Sequence, residues 1–159
     1  MRDLEIQIEE APPSDVLPLR TAILRPHFEP GTLARFSGDD EARHFVARRG
    51  DDILGVVSYF LTDLPEEAGD DAGSPAFRIR GMAIADGARR RGVGGRLLTT
   101  SLTRMALVDP TIPTVFCNAR LGAIPFYESY GFQPFGDEFH LPEIGPHRRM
   151  RRAMPTLLA

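Results

Sequence analysis

The residues with the clearest chemistry stand at Arg89-Arg90-Arg91-Gly92-Val93-Gly94-Gly95. A glycine-rich turn that opens a helix leaves several backbone amides without an intrahelical carbonyl. Glycine also lets a ligand come close to that backbone. The helix end adds a partial positive charge, and the three arginines add full ones. The guest that suits such a turn is a pyrophosphate. No Gly-Lys-Ser/Thr follows, so this is not a P-loop. Gly-x-Gly-x-x-Gly is absent too, so it is not the dinucleotide fingerprint. The plain alternative is a basic turn that caps a surface helix.

Four further positions carry usable chemistry. Tyr127 lies in Ala123-Ile124-Pro125-Phe126-Tyr127-Glu128-Ser129-Tyr130-Gly131-Phe132, which reads as a short helix. Phe126 and Tyr130, four apart, share a face, and Tyr127 points roughly 100° away. It is therefore not forced into the core. His44, Glu138 and His147 can each take a proton or line a pocket, and each can equally be held by a structural hydrogen bond. Cys117 sits in an apolar strand with nothing nearby to lower its pKa, so it reads as a packed thiol rather than a nucleophile.

The elements that must position these groups follow from periodicity. Phe77 and Ile79 are apolar with Arg78 and Arg80 between them, and then Met82 and Ile84 carry the apolar phase. Odd positions become even at Gly81. A strand of period two needs one extra residue to do that, which places a β-bulge near Gly81. A bulge bends its strand and can open a slot in a sheet. A helix over Val93–Val108 follows, with Gly94, Leu97, Leu98, Ser101, Met105 and Val108 on one face. The strand Thr114–Ala119 comes next. Strand, helix, strand makes a right-handed crossover between parallel strands.

Upstream, Leu4–Glu9 alternates as a half-buried strand. A helix capped by Ser14 or Asp15 runs on until Pro26. Residues 27–40 read as a loop that could wall an acceptor site. Glu41–Arg49 and Ile53–Leu61 form a hairpin about Gly50-Asp51. Thr62–Pro75 is acidic and glycine-rich and reads as a solvated, mobile connection. Downstream, Gln133–His140 and His147–Met154 form two antiparallel strands. The arginine run 148–152 is expected on a solvated face or sheet edge.

At 159 residues the length fits a single domain, 1–159. No apolar run approaches the roughly 20 residues that span a bilayer. Met1-Arg2-Asp3-Leu4-Glu5 has no apolar signal region, and one cysteine cannot form an internal disulfide. A cytoplasmic protein with no membrane partner is expected. The net charge of −3 gives no reason to expect nucleic acid. There is no lysine, so every full positive side-chain charge at neutral pH is an arginine.

The turn Arg89-x-x-Gly92-x-Gly94 after an apolar strand resembles the acyl-CoA signature of the GNAT superfamily of N-acetyltransferases. Asn118, then Ala123-x-x-Phe126-Tyr127-x-x-x-Gly131-Phe132, is similar to that superfamily's second motif. The two cover about residues 77–132. The stretch 136–150 also resembles a bacterial ElaA-like subgroup.

The resemblance implies an α/β fold: a mixed six- to seven-stranded sheet with splayed parallel central strands, flanked by about four helices. It implies acetyl-CoA as co-substrate and no metal. Pantetheine would lie along Met82, Ala83 and Ile84. The pyrophosphate would sit on the turn formed by Arg89, Arg90, Arg91, Gly92, Val93, Gly94 and Gly95. Asn118 and Phe126 would border the pantetheine arm, and Tyr127 would be the general acid. Many members keep a glutamate on the bulged strand, but Phe77–Ile84 holds no acid. Glu138, His147 and His44 are the candidate bases or acceptor-site groups. The implied reaction is direct attack by a primary amine, of a small molecule or a protein, in a ternary complex. The alternative is a non-catalytic acyl-CoA sensor on the same fold. A homodimer is left open.

Overall fold

The computed structural model describes residues 5–89 and 91–157. In chain order the elements are β1 (Ile6–Ala11), α1 (Pro13–Leu24), β2 (Arg43–Arg49), β3 (Asp52–Asp63), β4 (Pro75–Ile84), α2 (Val93–Val108), β5 (Thr114–Arg120), α3 (Ile124–Ser129), β6 (Gln133–Leu141) and β7 (Gly145–Ala153). Short 3-10 turns lie at 66–71, 86–88 and 121–123. The seven strands are ordered β1-β2-β3-β4-β5-β7-β6. β4 and β5 pair in parallel, from Phe77↔Val115 to Ile79↔Cys117. A parallel pair needs a long crossover, and α2 supplies it. The pairs β1–β2, β2–β3, β5–β7 and β6–β7 are antiparallel.

The chain gathers into two compact units. One is built from residues up to Phe60 with Arg80–Leu102, and the other from Leu61–Ile79 with Thr103 onward. In the first, Ala11, Val16, Val46, Val56 and Ala83 form a core, closed by Leu19, Ile23, Leu24 and Ile53. α1 starts at Pro13 with no side-chain cap. Pro13 needs no amide there, because its fixed φ already suits a first turn. The expected caps, Ser14 and Asp15, both lie within the helix, and Asp15 accepts from Arg48 at 2.8 Å.

In the second unit, Leu64, Ala76 and Phe116 pack with Ala68 and Phe135. Two expectations change here. The acidic stretch 62–75 is not a free connection. Its 3-10 turn brings Glu67 to Arg149 at 3.6 Å, and Asp71 to Arg151 through two contacts. The Arg151 hydrogen bonds hold the Asp71 carboxyl below the usual range. The arginine run is likewise not on an edge. β7 lies inside the sheet between β5 and β6, and β6 is the edge. The arginines find partners off the strand: Arg148 donates to the Gly136 carbonyl, Arg152 to the Tyr130 carbonyl at 2.7 Å, and Arg149 lies 4.3 Å over the Phe139 ring.

Candidate active site

Gly81 takes φ +66, a left-handed conformation that glycine adopts without strain. A Cβ added there would lie 3.1 Å from Phe36, and the Arg80 guanidinium lies 4.1 Å over that same ring. Neighbours on a regular strand face opposite ways. A glycine in the left-handed region is the backbone form of one class of β-bulge. Beyond it, Ala83 is the buried residue, packed in the α1-side core. Met82 and Ile84, expected to carry the apolar phase, are half-buried. Ile84 approaches Gly55 beside Val93 and Leu97 of α2. Both faces of β4 are thus apolar past the bulge, and a simple alternation does not describe them.

α2 begins at Val93, as its sequence predicts. Gly92, at φ +76, turns the chain into it, and a Cβ there would meet nothing within 4 Å. The Arg96 amide bonds the Gly92 carbonyl at 3.1 Å, so the amides of Val93, Gly94 and Gly95 stand ahead of the helical ladder. Arg89 and Arg91 are exposed, Val93 and Gly95 are buried, and Gly94 is half-buried. Arg89 makes a loose pair with Asp86 at 3.5 Å. Arg90 lies outside the described residues. An open glycine turn with amides ahead of the helical ladder and exposed cations is chemically suited to a pyrophosphate. α2 departs from expectation at its far end, where Val108 is exposed and Leu102 and Ala106 are buried instead.

In the second unit, Asn118 is half-buried on β5. Its Oδ1 is an acceptor cut off from solvent with no hydrogen-bond donor. An orphaned buried oxygen calls for a partner. Tyr127 is 7% exposed, so the sequence-based view that it need not be a core residue is corrected. The short α3 turns it inward, against Phe126 and Phe132 at ring distances of 5.2 and 5.3 Å. Phe126, half-buried, also meets Tyr130 at 5.1 Å. The Tyr127 side chain hydrogen-bonds the Cys117 thiol. Burial pushes that thiol up to about 12, outweighing the nearby Arg78 charge and the tyrosine bond. Cys117 is therefore no nucleophile.

His44 is buried and fully engaged. Its Nε2–H donates to the Asp39 carbonyl at 2.8 Å, and the Ser58 hydroxyl donates to Nδ1 at 2.6 Å. That tautomer follows from the partners. His147 is 4% exposed, bonded through Nδ1 to the Gly145 carbonyl and stacked on Phe139 at 5.7 Å. Glu138, on the same hairpin, is exposed.

The sequence reading missed a buried ionic cluster. Arg20 has no exposed surface. It donates to both Asp39 carboxylate oxygens at 2.9 and 3.1 Å, to the Ala34 carbonyl at 3.0 Å and to Ser58 at 2.9 Å. Its signal was present in the spacing: Arg20 is one turn from Val16 on the buried face of α1. Burial would raise the Asp39 carboxyl, but the bonds from Arg20 and from the Phe36 amide outweigh it and hold the group below its ordinary value. Asp39 thereby ties the middle of the loop 25–42 to α1 and β3.

Among the described residues no cluster of histidine, cysteine, aspartate or glutamate could hold a metal ion. No helix there is long and apolar enough to cross a membrane.

Comparison with known proteins completes the description. Residues 25–150 match the family model for the acetyltransferase (GNAT) domain. An uncharacterized N-acetyltransferase, YitI of Bacillus subtilis (strain 168), is 25% identical over 155 residues, covering 95% of this chain and 98% of that protein. The crystal structure of Escherichia coli ElaA superposes with a TM-score of 0.70 at 20% identity, covering 93% of this chain and 99% of that one. An acyl-CoA N-acyltransferase from Pseudomonas aeruginosa superposes with a TM-score of 0.66 at 21% identity, covering 94% and 100%. At these identities the two structures bear on the fold.

Proposed function

Because this chain belongs to the GNAT acetyltransferase family, we propose that it moves an acetyl group from acetyl-CoA to a primary amine by direct attack in a ternary complex. Acyl transfer with an acyl-CoA co-substrate is the family's chemistry. Acetyl as the acyl group and an amine as the acceptor are our reading. The observation that carries it is the open glycine mouth of α2, directly after a bulged strand.

In this reading the amides of Val93–Gly95 receive the pyrophosphate, with Arg89 and Arg91 around it. The pantetheine arm runs along Met82, Ala83 and Ile84. Asn118 accepts one of its amide hydrogens, and Phe126 borders it. The amine nitrogen attacks the thioester carbonyl carbon. The C–N bond forms, the C–S bond breaks, and charge gathers on the carbonyl oxygen. Amides near Ala83 or Ile84 stabilise that oxygen, a role worth about 3 kcal/mol in other enzymes. The thiolate leaves with the proton of Tyr127, and the amine releases one.

An alkylamine of pKa near 10.4 is neutral in about one molecule in a few thousand at pH 7. Arg78 and Arg80 replace the missing acid on β4 with cations, which favour the neutral amine in their neighbourhood. His147 and Glu138 are the acceptor-side groups that can accept the proton. His44, with both ring nitrogens engaged, serves packing.

The test is a thermal-shift panel of acetyl-CoA, CoA, ATP, NAD and oligonucleotides, followed by an amine screen with thiol detection. Acetyl-CoA at one hundred times its Kd adds about 2.7 kcal/mol, a rise of roughly 5 °C for this size. No shift with either CoA species sinks the reading. A shift without turnover on any amine favours the sensor instead.

A further inference from the structure

Arg78 is a half-buried cation with no ion pair among the described residues. It lies on β4, opposite Phe116 of β5. Its Nε is shut off from solvent with no acceptor, and its guanidinium has no hydrogen bond or ion pair among the described residues. Burial depresses its basicity, and the charge of Arg149 adds to that. Its charged and titratable surroundings are Cys117, which is neutral, and Arg149, which repels it. Two acids of the second unit are already paired. Glu67 faces Arg149, and Asp71 faces Arg151. Partial burial makes an unpaired guanidinium costly to hold. A ligand anion would complete its pairing.

The register shows what else faces that ligand. Asn118 and Arg149 are directly opposed on β5 and β7, so they share a sheet face, and Phe116 lies two residues before Asn118 on that same face. Phe139, beneath Arg149, and His147 complete it. The face thus offers two guanidinium groups and an aromatic floor. An anion with a planar pair of oxygens matches a guanidinium fork.

We propose that Arg78, with Arg149 beside it, seats a carboxylate of the acceptor, so that the amine acetylated belongs to a free amino acid. This rests on the transferase reading for the word acceptor, but not for the anion site. The carboxylate takes no part in bond making.

Thiol release from acetyl-CoA is measured with the twenty L-amino acids and with their carboxamides. The wild-type chain is compared with Arg78→Met and Arg78→Lys. We expect an amino acid to be used at least 10-fold better in kcat/KM than its amide. Arg78→Met should lose that preference by about 10- to 100-fold, the range of a charged hydrogen bond, mainly through KM. Arg78→Lys should keep part of it. Arg78→Met should unfold in urea no earlier than wild type, since it removes an unpaired charge. Equal use of acid and amide, or an unchanged preference in Arg78→Met, overturns the proposal.

Thermal shifts on the same samples separate the two readings. If acetyl-CoA fails to stabilise the wild type, the transferase reading falls, and the anion site is judged on amino-acid shifts alone. A shift in wild type that Arg78→Met lacks supports the site. No shift in either overturns it.

Discussion

A Cβ on Gly81 would lie 2.7 Å from the Nε of Arg20. The bulge of β4 and the buried arginine of α1 are therefore fitted to each other. The guanidinium cannot move aside, because Asp39, Ser58 and Ala34 hold its other nitrogens. Gly81→Ala meets both this contact and a φ of +66. We expect a loss of about 2–4 kcal/mol in urea denaturation. A variant as stable as wild type would show that the bulge has room to relax.

The Arg20–Asp39 pair predicts an acid limb in stability. Asp39 is held below its ordinary value, chiefly by the Arg20 and Phe36 bonds acting against burial. Its contribution is present above the unfolded carboxyl value of about 3.9 and is lost as pH falls through the folded value. Asp39→Asn should cost about 3 kcal/mol at pH 7, since it leaves Arg20 buried without a counter-charge. It should also flatten the fall in stability below pH 4. Parallel acid limbs in the two proteins would refute the assignment.

Gly94→Glu tests the mouth of α2. A carboxylate there repels a pyrophosphate and covers the amides that would meet it. Gly94 is half-buried at the helix start, so the fold should survive. Calorimetry should show acetyl-CoA binding weakened by at least 100-fold with the circular dichroism spectrum unchanged. Retained affinity would place the phosphates elsewhere.

Tyr127→Phe keeps the packing against Phe126 and Phe132 and removes only the hydroxyl. If that hydroxyl protonates the leaving sulfur, kcat should fall about 100-fold. The Kd for acetyl-CoA should change less than 2-fold. Equal losses in both, or in neither, count against the role.

The crossover was legible because its signals are local. Val93 follows glycines, Asp109-Pro110 stops the helix, and Gly131 at φ +88 ends α3. A break in the alternation at Gly81 was legible for the same reason, although Ala83, and not Met82 or Ile84, is the buried residue beyond it. What escaped depends on partners far apart in the chain. Arg20 and Asp39 are 19 residues apart, and Arg151 and Asp71 are 80 apart, so no window of sequence shows them paired. Tyr127 escaped differently. A helix as short as Ile124–Ser129 can bury more than one face, so the angle between neighbours does not decide exposure.

The buried anchor at Asp39 divides the preceding loop in two. Ala34 and Asp39 are buried, whereas residues 29–33 are exposed. Insertions in that outer half would cost little, since doubling a flexible loop adds only about 0.6 kcal/mol. The outer half can thus drift in length and character while the clamp beneath it stays fixed. A lineage could in this way retune what the protein accepts without rebuilding its scaffold.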